Sequence, residues 1–554
     1  MKPNAFLQIL NGLKPATYAL TNDFEEQGLI AYNDTEIKLL DLFSEHNKEP
    51  KVFEFKSEKI ANIISQHFED KDDSFLLTTT NKNSTFTTYL CDFKLKEKTE
   101  LFKSISTPMI IAHPLTLKPL IVFAYENKLK FCEIDKDGHK IESFDNVLRL
   151  PSGIHSSSFI DVTGDMHSEL VLHTKEDNKN FIDIYKLTSP SKLEKVKSID
   201  LQDGEIGPIL FSEITNSLAP DMVYVSSENG HFYLNLWKNV SMDHLSNDFP
   251  KNLKDFKERI SSAPSNEIFN KNIIKLDLAD ALSDYKPVFQ NKDGLPSGIF
   301  LADLSGNGVK DVFLTVEAPD KSLQKVIAFV FDHEEKTFKP HETCNINQSP
   351  GFGYIHSVSV CDYNDSGSQN LIITAYETGT DTLVSIPYEF ESVSQEPGIS
   401  FLTLVALPNK KKFYIPGTVI AMLYENEEKF CKTSLSPQTS FMSLQPLKVF
   451  VGLGPTNLFI DWATIKVPSY DEKINRKDAI SFLVPNTFSV FTLHGENWRV
   501  QSFFSKLYFN ITVYALVAIV IVFMTIFVIL SIQEKRKYKR VMNKDSARIV
   551  FNAL

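Results

Sequence analysis

Short apolar runs separated by polar turns extend through most of this chain, and the pattern predicts β-strands. Gly28–Tyr32, Phe75–Thr80 and Leu120–Tyr125 each lead, after a few polar residues, into a second run in which apolar and polar positions alternate. The rhythm continues from residue 16 to residue 390. Alternation with this turn spacing is typical of all-β folds built from many short strands.

A nine-residue loop at 303–311 carries the most informative chemistry. Oxygen-bearing side chains occupy its positions 1, 3, 5 and 9, and the apolar run Val312–Val316 follows it. Short carboxylates, amides and hydroxyls at odd positions, together with one backbone carbonyl, are the ligands that bind Ca²⁺ in protein loops. The candidate ligands are Asp303, Ser305, Asn307, the carbonyl oxygen of Val309, and Asp311.

The loop pattern recurs at 362–370 and 161–169, and a weaker copy lies at 213–221. Each copy joins two short apolar runs, so the four copies form an internal repeat in register. A repeat of this kind predicts a propeller or a solenoid. The candidate ligands in the two clearer copies are Asp362, Asn364, Ser366, Ser368 and Asn370, and Asp161, Thr163, Asp165 and Glu169.

Two interpretations of these loops stay open. Asp, Asn, Ser and Gly also form tight turns without any metal. A glycine at position 6 gives the sharp turn of a calcium loop, and Gly308 and Gly367 supply it. Met166 occupies that position in the copy at 161, which makes the metal hypothesis weaker there.

The four loops resemble the FG-GAP repeats of integrin α-subunit propellers. The resemblance implies a seven-bladed β-propeller with Ca²⁺ in some of the loops. Three further strand pairs, at 28–42, 75–90 and 120–134, bring the candidate blades to seven. We therefore predict an all-β, seven-bladed FG-GAP propeller over residues 16–393.

Two other regions complete the predicted globular part. Residues 239–297 are polar and charged, and they predict an insertion over one propeller face, either as a binding surface or as a tolerated loop. Residues 394–503 predict a small β-sandwich-like domain. Its Gly452-Leu453-Gly454 turn, followed by a strand ending in Pro468, resembles the β-domain that often follows FG-GAP arrays.

The end of the chain predicts a membrane anchor. Residues 511–532 form an uncharged run of 22 residues, long enough to span a bilayer. A basic tail follows at 533–554, and the positive-inside rule places it in the cytosol. The expected topology is single-pass type I, although residues 1–19 do not predict the signal peptide that this topology normally requires.

Composition and motifs narrow the function. The net charge of −12 and the absence of a basic stripe in the body argue against nucleic-acid binding. The sequence contains no phosphate-binding loop, HExxH or GxSxG motif, so we predict no enzymatic activity and no small-molecule substrate. Sequons that fit a lumenal body are at Asn33, Asn83, Asn239, Asn347 and Asn510.

The combination of an FG-GAP array, the Gly-Leu-Gly domain, one C-terminal span and the ending Phe551–Leu554 resembles the T-cell immunomodulatory protein family, also called Linkin. The resemblance implies a membrane glycoprotein of the cell surface or secretory pathway. Its propeller loops would bind protein partners in adhesion or signalling. The alternative is an endomembrane factor that assists the folding or trafficking of other proteins.

Overall fold

The structure is a computed structural model of the 554-residue chain. It describes residues 10–551 apart from the positions 11, 21–26, 42–49, 56–58, 67, 69–73, 82–84, 136–137, 202–203, 216–218, 240–253, 255–267, 270–272, 304–305, 333, 342–350, 362–369, 380–381, 389–399, 409–413, 425–428, 436–448, 456–458, 470–482, 495–496 and 505. The described chain forms two compact units, residues 1–503 and residues 504–554.

Consecutive strands form seven antiparallel sheets, which are the blades of a propeller. Blade 1 contains β1 (Lys14–Leu20), β2 (Gln27–Tyr32), β3 (Glu36–Asp41) and β4 (Lys51–Glu54). Blade 2 contains β5 (Lys59–Ser65), β6 (Ser74–Thr80), β7 (Phe86–Asp92) and β8 (Glu97–Ser104). Blade 3 contains β9 (Met109–Ala112), β10 (Pro119–Tyr125), β11 (Lys128–Asp135) and β12 (Gly138–Ser143). Blade 4 contains β13 (Ser158–Ile160), β14 (Glu169–Glu176), β15 (Lys179–Ser189) and β16 (Lys192–Asp200).

The remaining blades differ in strand number. Blade 5 contains β17 (Glu205–Ile206), β18 (Leu210–Ser212), β19 (Asp221–Glu228), β20 (His231–Trp237) and β21 (Ile273–Asp277). Blade 6 contains β22 (Lys286–Pro287), β23 (Ile299–Ala302), β24 (Asp311–Glu317), β25 (Gln324–Asp332) and β26 (Thr337–Pro340), and the one-turn helix α1 (Ala279–Leu282) precedes it. Blade 7 contains β27 (Tyr354–Cys361), β28 (Asn370–Tyr376) and β29 (Leu383–Tyr388). The predicted seven-bladed, all-β architecture is confirmed.

The inner strands of neighbouring blades approach one another and line the propeller axis. Contacts of this kind join β1 to β5, β18 to β23 and β23 to β27. The ring closes between the first and last blades, because β1 also approaches β27 and the backbone N–H of Gly12 donates to the carbonyl of Leu383 at 3.1 Å. Closure in this manner leaves no long unpaired inner edge.

The hydrophobic core lies in the seams between blades. Strand alternation sends one face of each sheet toward the preceding blade and the other toward the next, so both faces are buried. Phenylalanine, present 43 times, fills many of these seams. Phe102 of blade 2 stacks on Phe123 of blade 3, and Phe53 of blade 1 meets Phe75 of blade 2 edge to face at 5.7 Å.

A second β-domain follows the propeller as two sheets. The strands are β30 (Ser400–Pro408), β31 (Val419–Tyr424), β32 (Lys429–Ser434), β33 (Val449–Gly454), β34 (Trp462–Lys466), β35 (Thr487–His494) and β36 (Asn497–Phe504). One sheet has the strand order β33-β30-β35-β36 and the other has the order β32-β31-β34. Its apolar side chains join those of blades 3 and 4 in one core cluster, so the two domains share a hydrophobic interface.

Part of the predicted insertion at 239–297 belongs to the blades. Ile273–Asp277 pairs with β20 as the outer strand of blade 5, and Lys286–Pro287 pairs with β24 in blade 6. The β21 side chains are only partly buried or exposed. An outer strand of this kind lacks the strong apolar signal by which the inner strands were recognised, and the prediction therefore extended the insertion too far.

The second unit contains the helix α2 (Lys506–Phe551). Among the described residues, one helical segment, Val513–Met542, is long and apolar enough to cross a membrane, and an 18-residue window of it has a mean hydropathy of 3.1. The predicted span at 511–532 lies in this helix. The basic residues that follow position 532 continue the same helix to Phe551.

Candidate functional site between the propeller and the C-terminal domain

The loop at 161–169 joins β13 to β14 and wraps around the side chain of Asp161. One carboxylate oxygen accepts the N–H of Gly164 and the other accepts the N–H of Met166, both at 2.8 Å. Met166 adopts φ 66°, the left-handed conformation that glycine was expected to provide. In the loop at 303–311, Gly308 occupies the corresponding position with φ 89°. The methionine therefore leaves the fold of the loop intact, and the reason given for a weaker metal hypothesis there does not hold.

The loop brings all four of its predicted ligands, Asp161, Thr163, Asp165 and Glu169, into one cluster. Oxygen atoms of Asp161, Asp165 and Glu169 all lie within 4.8 Å of one another. Glu169 accepts the N–H of Val162 and the hydroxyl of Thr163, each at 3.0 Å. Burial, together with the nearby charges of Asp161 and Asp165, raises the pKa of Glu169 well above its ordinary value, which favours its protonated form.

A lysine from the C-terminal domain supplies a positive charge to this cluster. Lys432, on β32, places its ammonium 2.7 Å from Asp161 Oδ2, and both side chains are almost completely buried. Burial raises the pKa of Asp161, and the charge of Lys432 opposes that shift. Asp165 pairs with Lys186 at 3.2 Å. Two ammonium groups, those of Lys432 and Lys186, therefore pair with the carboxylates of Asp161 and Asp165 and balance their charge.

This balance decides how well the cluster fits a divalent cation. The side chains have the chemistry that Ca²⁺ prefers, but Lys432 already occupies Asp161 Oδ2 and the loop backbone occupies its remaining hydrogen-bonding directions. A metal ion would have to displace the buried ammonium of Lys432 from its ion pair with Asp161, which is costly. The loop at 161 does not fit Ca²⁺ while Lys432 is in place.

Further contacts fasten the same loop to the C-terminal domain. The Ser168 hydroxyl donates to the carbonyl of Gly417 at 2.7 Å, and Lys466 Nζ donates to the carbonyl of Asp165 at 3.0 Å. The Met166 side chain packs in a buried cluster with Val419 and Trp462. Met166 at position 6 therefore acts as an apolar contact between domains.

The loop at 303–311 also contacts the C-terminal domain. The Asp303 carboxylate accepts the N–H groups of Asn307, Gly308 and Gly452 at 3.1, 2.9 and 3.2 Å. Burial raises the pKa of Asp303, and the Lys310 charge and these N–H donors oppose that shift. Of the other predicted ligands, the Asn307 side-chain oxygen accepts the N–H of Val309 at 2.8 Å, Asp311 is buried, and Ser305 lies outside the described residues.

Gly452 and Gly454 are the docking partners of this loop. A Cβ at Gly452 would lie 2.2 Å from the carbonyl oxygen of Gly306 and 2.4 Å from Asp303 Oδ2, so only glycine fits. Gly454 has φ 69° and donates its N–H to the carbonyl of Gly306 at 2.8 Å. The Gly-Leu-Gly motif could be recognised in the sequence, but the sequence did not show that the loop at 303–311 packs against it.

The other two loops differ. Residues 362–369 lie outside the described residues, and Asn370 begins β28. In the loop at 213, Asp221 accepts the N–H groups of Ile214 and Asn239 at 3.0 and 2.9 Å, and burial raises its pKa to about 6. This carboxylate holds the turn through hydrogen bonds to the backbone.

The structure distinguishes among the predicted glycosylation sites. Asn33 lies in a turn whose following residues, Asp34 and Thr35, are exposed. Asn239 is completely buried, and its Nδ2 donates to the carbonyls of Val162 and Pro220 at 2.8 and 3.1 Å. A glycan on that nitrogen would replace one of the two donated hydrogens and has no room at a completely buried side chain, so the folded chain does not favour it. Asn83 and Asn347 lie outside the described residues, and Asn510 lies in α2 just before the apolar span.

Solved propellers resemble this chain at low identity. The structure of Sqt1 from Saccharomyces cerevisiae is 10% identical with a TM-score of 0.34, covering 68% of this chain and 97% of that chain. The β-propeller domain of the Trilobed protease from Pyrococcus furiosus is 11% identical with a TM-score of 0.33, covering 69% and 96%. The Cps50 (Swd1) propeller domain from Myceliophteria thermophila is 10% identical with a TM-score of 0.35, covering 68% and 98%.

The C-terminal domain, which contributes Lys432, matches a known family model. A search of curated protein sequences found no match. Residues 414–503 match the family model described as the C2 domain of ITFG1, and this region includes β31 to β35 and most of β36. This match confirms, for residues 414–503, the resemblance drawn from the sequence: the C-terminal domain is similar to the C2 domain of ITFG1, the T-cell immunomodulatory protein, or Linkin.

Proposed function

We propose that this chain is a single-pass membrane glycoprotein whose propeller binds protein partners in cell adhesion or signalling. The ITFG1-type C2 domain, the propeller and the apolar helix support a membrane-associated propeller protein. The observation that carries partner binding is the distribution of exposed apolar side chains on the propeller. They include residues on the face opposite the loops that contact the C2 domain.

The two faces follow from the strand order. In each blade, the loop that joins the inner strand to the next strand lies on one face of the propeller, and the loops at 161 and 303 are of this kind. The connectors that lead from one blade to the next lie on the opposite face. Three apolar side chains are exposed on this connector face: Ile105 and Leu148 lie in connectors, and Tyr354 begins β27. Their exposed fractions are 41%, 58% and 38%. A cluster of exposed apolar groups, unlike a single one, marks a protein-binding surface, and aromatic residues such as Tyr354 are enriched there.

Replacing Leu148 by aspartate should therefore weaken partner binding. The assay uses beads coated with the full-length chain in lipid nanodiscs, and it counts the beads retained on living cells. Leu95→Asp is the matched control, because Leu95 is 56% exposed but lies in a turn on the opposite face. We expect retention to fall at least fivefold for Leu148→Asp and to be unchanged for Leu95→Asp. Equal retention of both variants and the wild type would exclude this face as the binding surface.

Localisation separates this proposal from an endomembrane factor. An antibody to the propeller, applied to intact cells that express the full chain, should stain the cell surface. Reticular staining that appears only after permeabilisation would favour the endomembrane function instead.

The expected topology has its own test. Protease added to sealed microsomes should spare the propeller and the C2 domain, since a lumenal body is protected. In the same membranes, Asn33→Gln should remove one glycosidase-sensitive increment of mass, because the Asn33 sequon is accessible on the fold. Digestion of the propeller in sealed vesicles would reverse the assigned orientation.

Calcium is proposed for the loop at 303 alone among the described loops. Asp303, Asn307 and Asp311 supply side-chain oxygens there, and the ammonium of Lys310, whose charge acts on Asp303, donates to the carbonyl of Phe450 at 3.2 Å. We expect calcium to stabilise the wild-type chain by about 2.7 kcal/mol at a hundredfold excess over the dissociation constant. Asn307→Ala should abolish the rise in Tm. A Tm that is the same in millimolar calcium and in excess chelator would reject the proposal.

A further inference from the structure

A cavity lies at the connector end of the propeller axis, away from the C2 domain. It is bordered by the inner strands of blades 1, 2, 6 and 7 and by the 291–298 turn. Its volume is about 70 Å³, several times the 10–15 Å³ or so that one water molecule needs. The cavity therefore has room for a small molecule.

Three polar side chains that line this cavity lack hydrogen-bond partners within the described part of the chain. They are the amide nitrogen of Asn62 and the hydroxyls of Thr315 and Ser357. Each side chain is at least nine-tenths buried. Buried polar groups in folded proteins are normally satisfied, so three on one cavity indicate that something else bonds to them.

The charged groups at the cavity already have partners. Lys14 Nζ lies 2.7 Å from Asp293 Oδ2, and His356 Nδ1 lies 3.3 Å from the same oxygen. The hydrogen bond from His356, together with Lys14, holds the pKa of Asp293 well below its ordinary range. Burial lowers the pKa of His356, and its hydrogen bond with Asp293 opposes that shift.

The inner strands are distorted at this level. Register shifts interrupt β1 between Pro15 and Thr17, β5 between Ile60 and Asn62, and β27 between Ile355 and Ser357. Bulges redirect side chains and occur beside functional sites more often than elsewhere. Here they border the cavity in three of its four blades, and two of them adjoin the unpartnered Asn62 and Ser357.

We propose that this axial cavity binds the hydroxyl groups of a small neutral polyol such as a sugar. The amide donor of Asn62 and the hydroxyls of Thr315 and Ser357, which donate and accept, match ligand hydroxyl groups, which also donate and accept. A free anion would require an uncommitted cation, and a metal ion would require more carboxylates than Asp293. Apolar side chains such as Ile60, Leu295 and Phe300 line the remaining wall and suit the carbon skeleton.

The test uses saturation-transfer NMR on the full-length chain in lipid nanodiscs, which contain no sugar detergent. The probes are methyl glycosides of mannose, galactose and glucose, glycerol, and a glycopeptide that ends in mannose. Binding of at least one probe is expected. Binding of the glycopeptide alone would identify a sugar carried on a glycan as the source, and binding of a free glycoside would identify a soluble sugar.

Ser357→Ala should weaken that binding about fivefold through the loss of one hydrogen bond. Ser359→Ala is the matched control, because its buried hydroxyl is also unpartnered but does not line the cavity. Each substitution removes one buried hydroxyl that has no hydrogen-bond partner within the described part of the chain, so both variants should fold. The proposal is wrong if no probe binds, if the two variants lose affinity equally, or if glucuronate binds better than glucose.

Discussion

Replacing Lys432 by methionine is expected to destabilise the unit formed by the propeller and the C2 domain by about 3–5 kcal/mol, the cost of removing one partner of a buried ion pair. Methionine retains most of the apolar stem but leaves Asp161 with an uncompensated charge beside Asp165. Urea unfolding of the full chain in nanodiscs measures the effect. Lys339→Met is the control, because Lys339 forms exposed pairs with Asp332 and Glu335 and should change stability by less than about 1 kcal/mol.

A double substitution tests whether the pair itself is responsible. Asp161→Asn combined with Lys432→Met removes both charges, so the loss should be smaller than the sum of the two single losses by about 1 kcal/mol or more. Simple additivity would mean that Lys432 acts through packing alone.

Calcium offers an independent readout of the same residue. Without Lys432, the Asp161 carboxylate in this cluster loses the ammonium that contacts its Oδ2 atom. Millimolar calcium should then raise the Tm of Lys432→Met more than that of the wild type. If the two proteins gain equally, Lys432 does not compete with a metal at this loop.

Gly452→Ala is the second change expected to have a large effect. The added methyl group would overlap the backbone of Gly306, which cannot rotate away as a side chain could. The two domains must separate locally, and we expect a loss of about 3 kcal/mol or more. Faster amide hydrogen exchange at Gly452 and Gly454, whose N–H groups bond to the 303 loop, measures this separation.

Gly454→Ala provides the comparison within the same strand. Its φ of 69° strains any L-residue by about 1–2 kcal/mol, but a methyl group there meets no atom closer than 3.9 Å. The difference between the two variants therefore isolates the close approach. Equal losses would show that only backbone conformation, and not docking against Gly306, requires glycine in this motif.

The local pattern of apolar and polar residues along the chain was sufficient to predict the architecture. Strand alternation, turn spacing and the repeated acidic loops predicted seven blades, because each blade is a short antiparallel unit whose signals lie within a few dozen residues. The Gly-Leu-Gly turn and the apolar span likewise predicted the C-terminal domain and the helix. The outer strand Ile273–Asp277 was missed, since a half-exposed edge carries a weak periodic signal.

Only the tertiary structure decided what the acidic loops contact. Asp161 and Lys432 are brought together by the packing of two domains, and no spacing rule relates residues so distant in sequence. The same packing explains why position 452 is a glycine, because the backbone of Gly306 leaves no room for a side chain there. The loop sequence alone determines a cradle of oxygens that suits a cation; whether a metal or a lysine fills it depends on the surface folded against the loop.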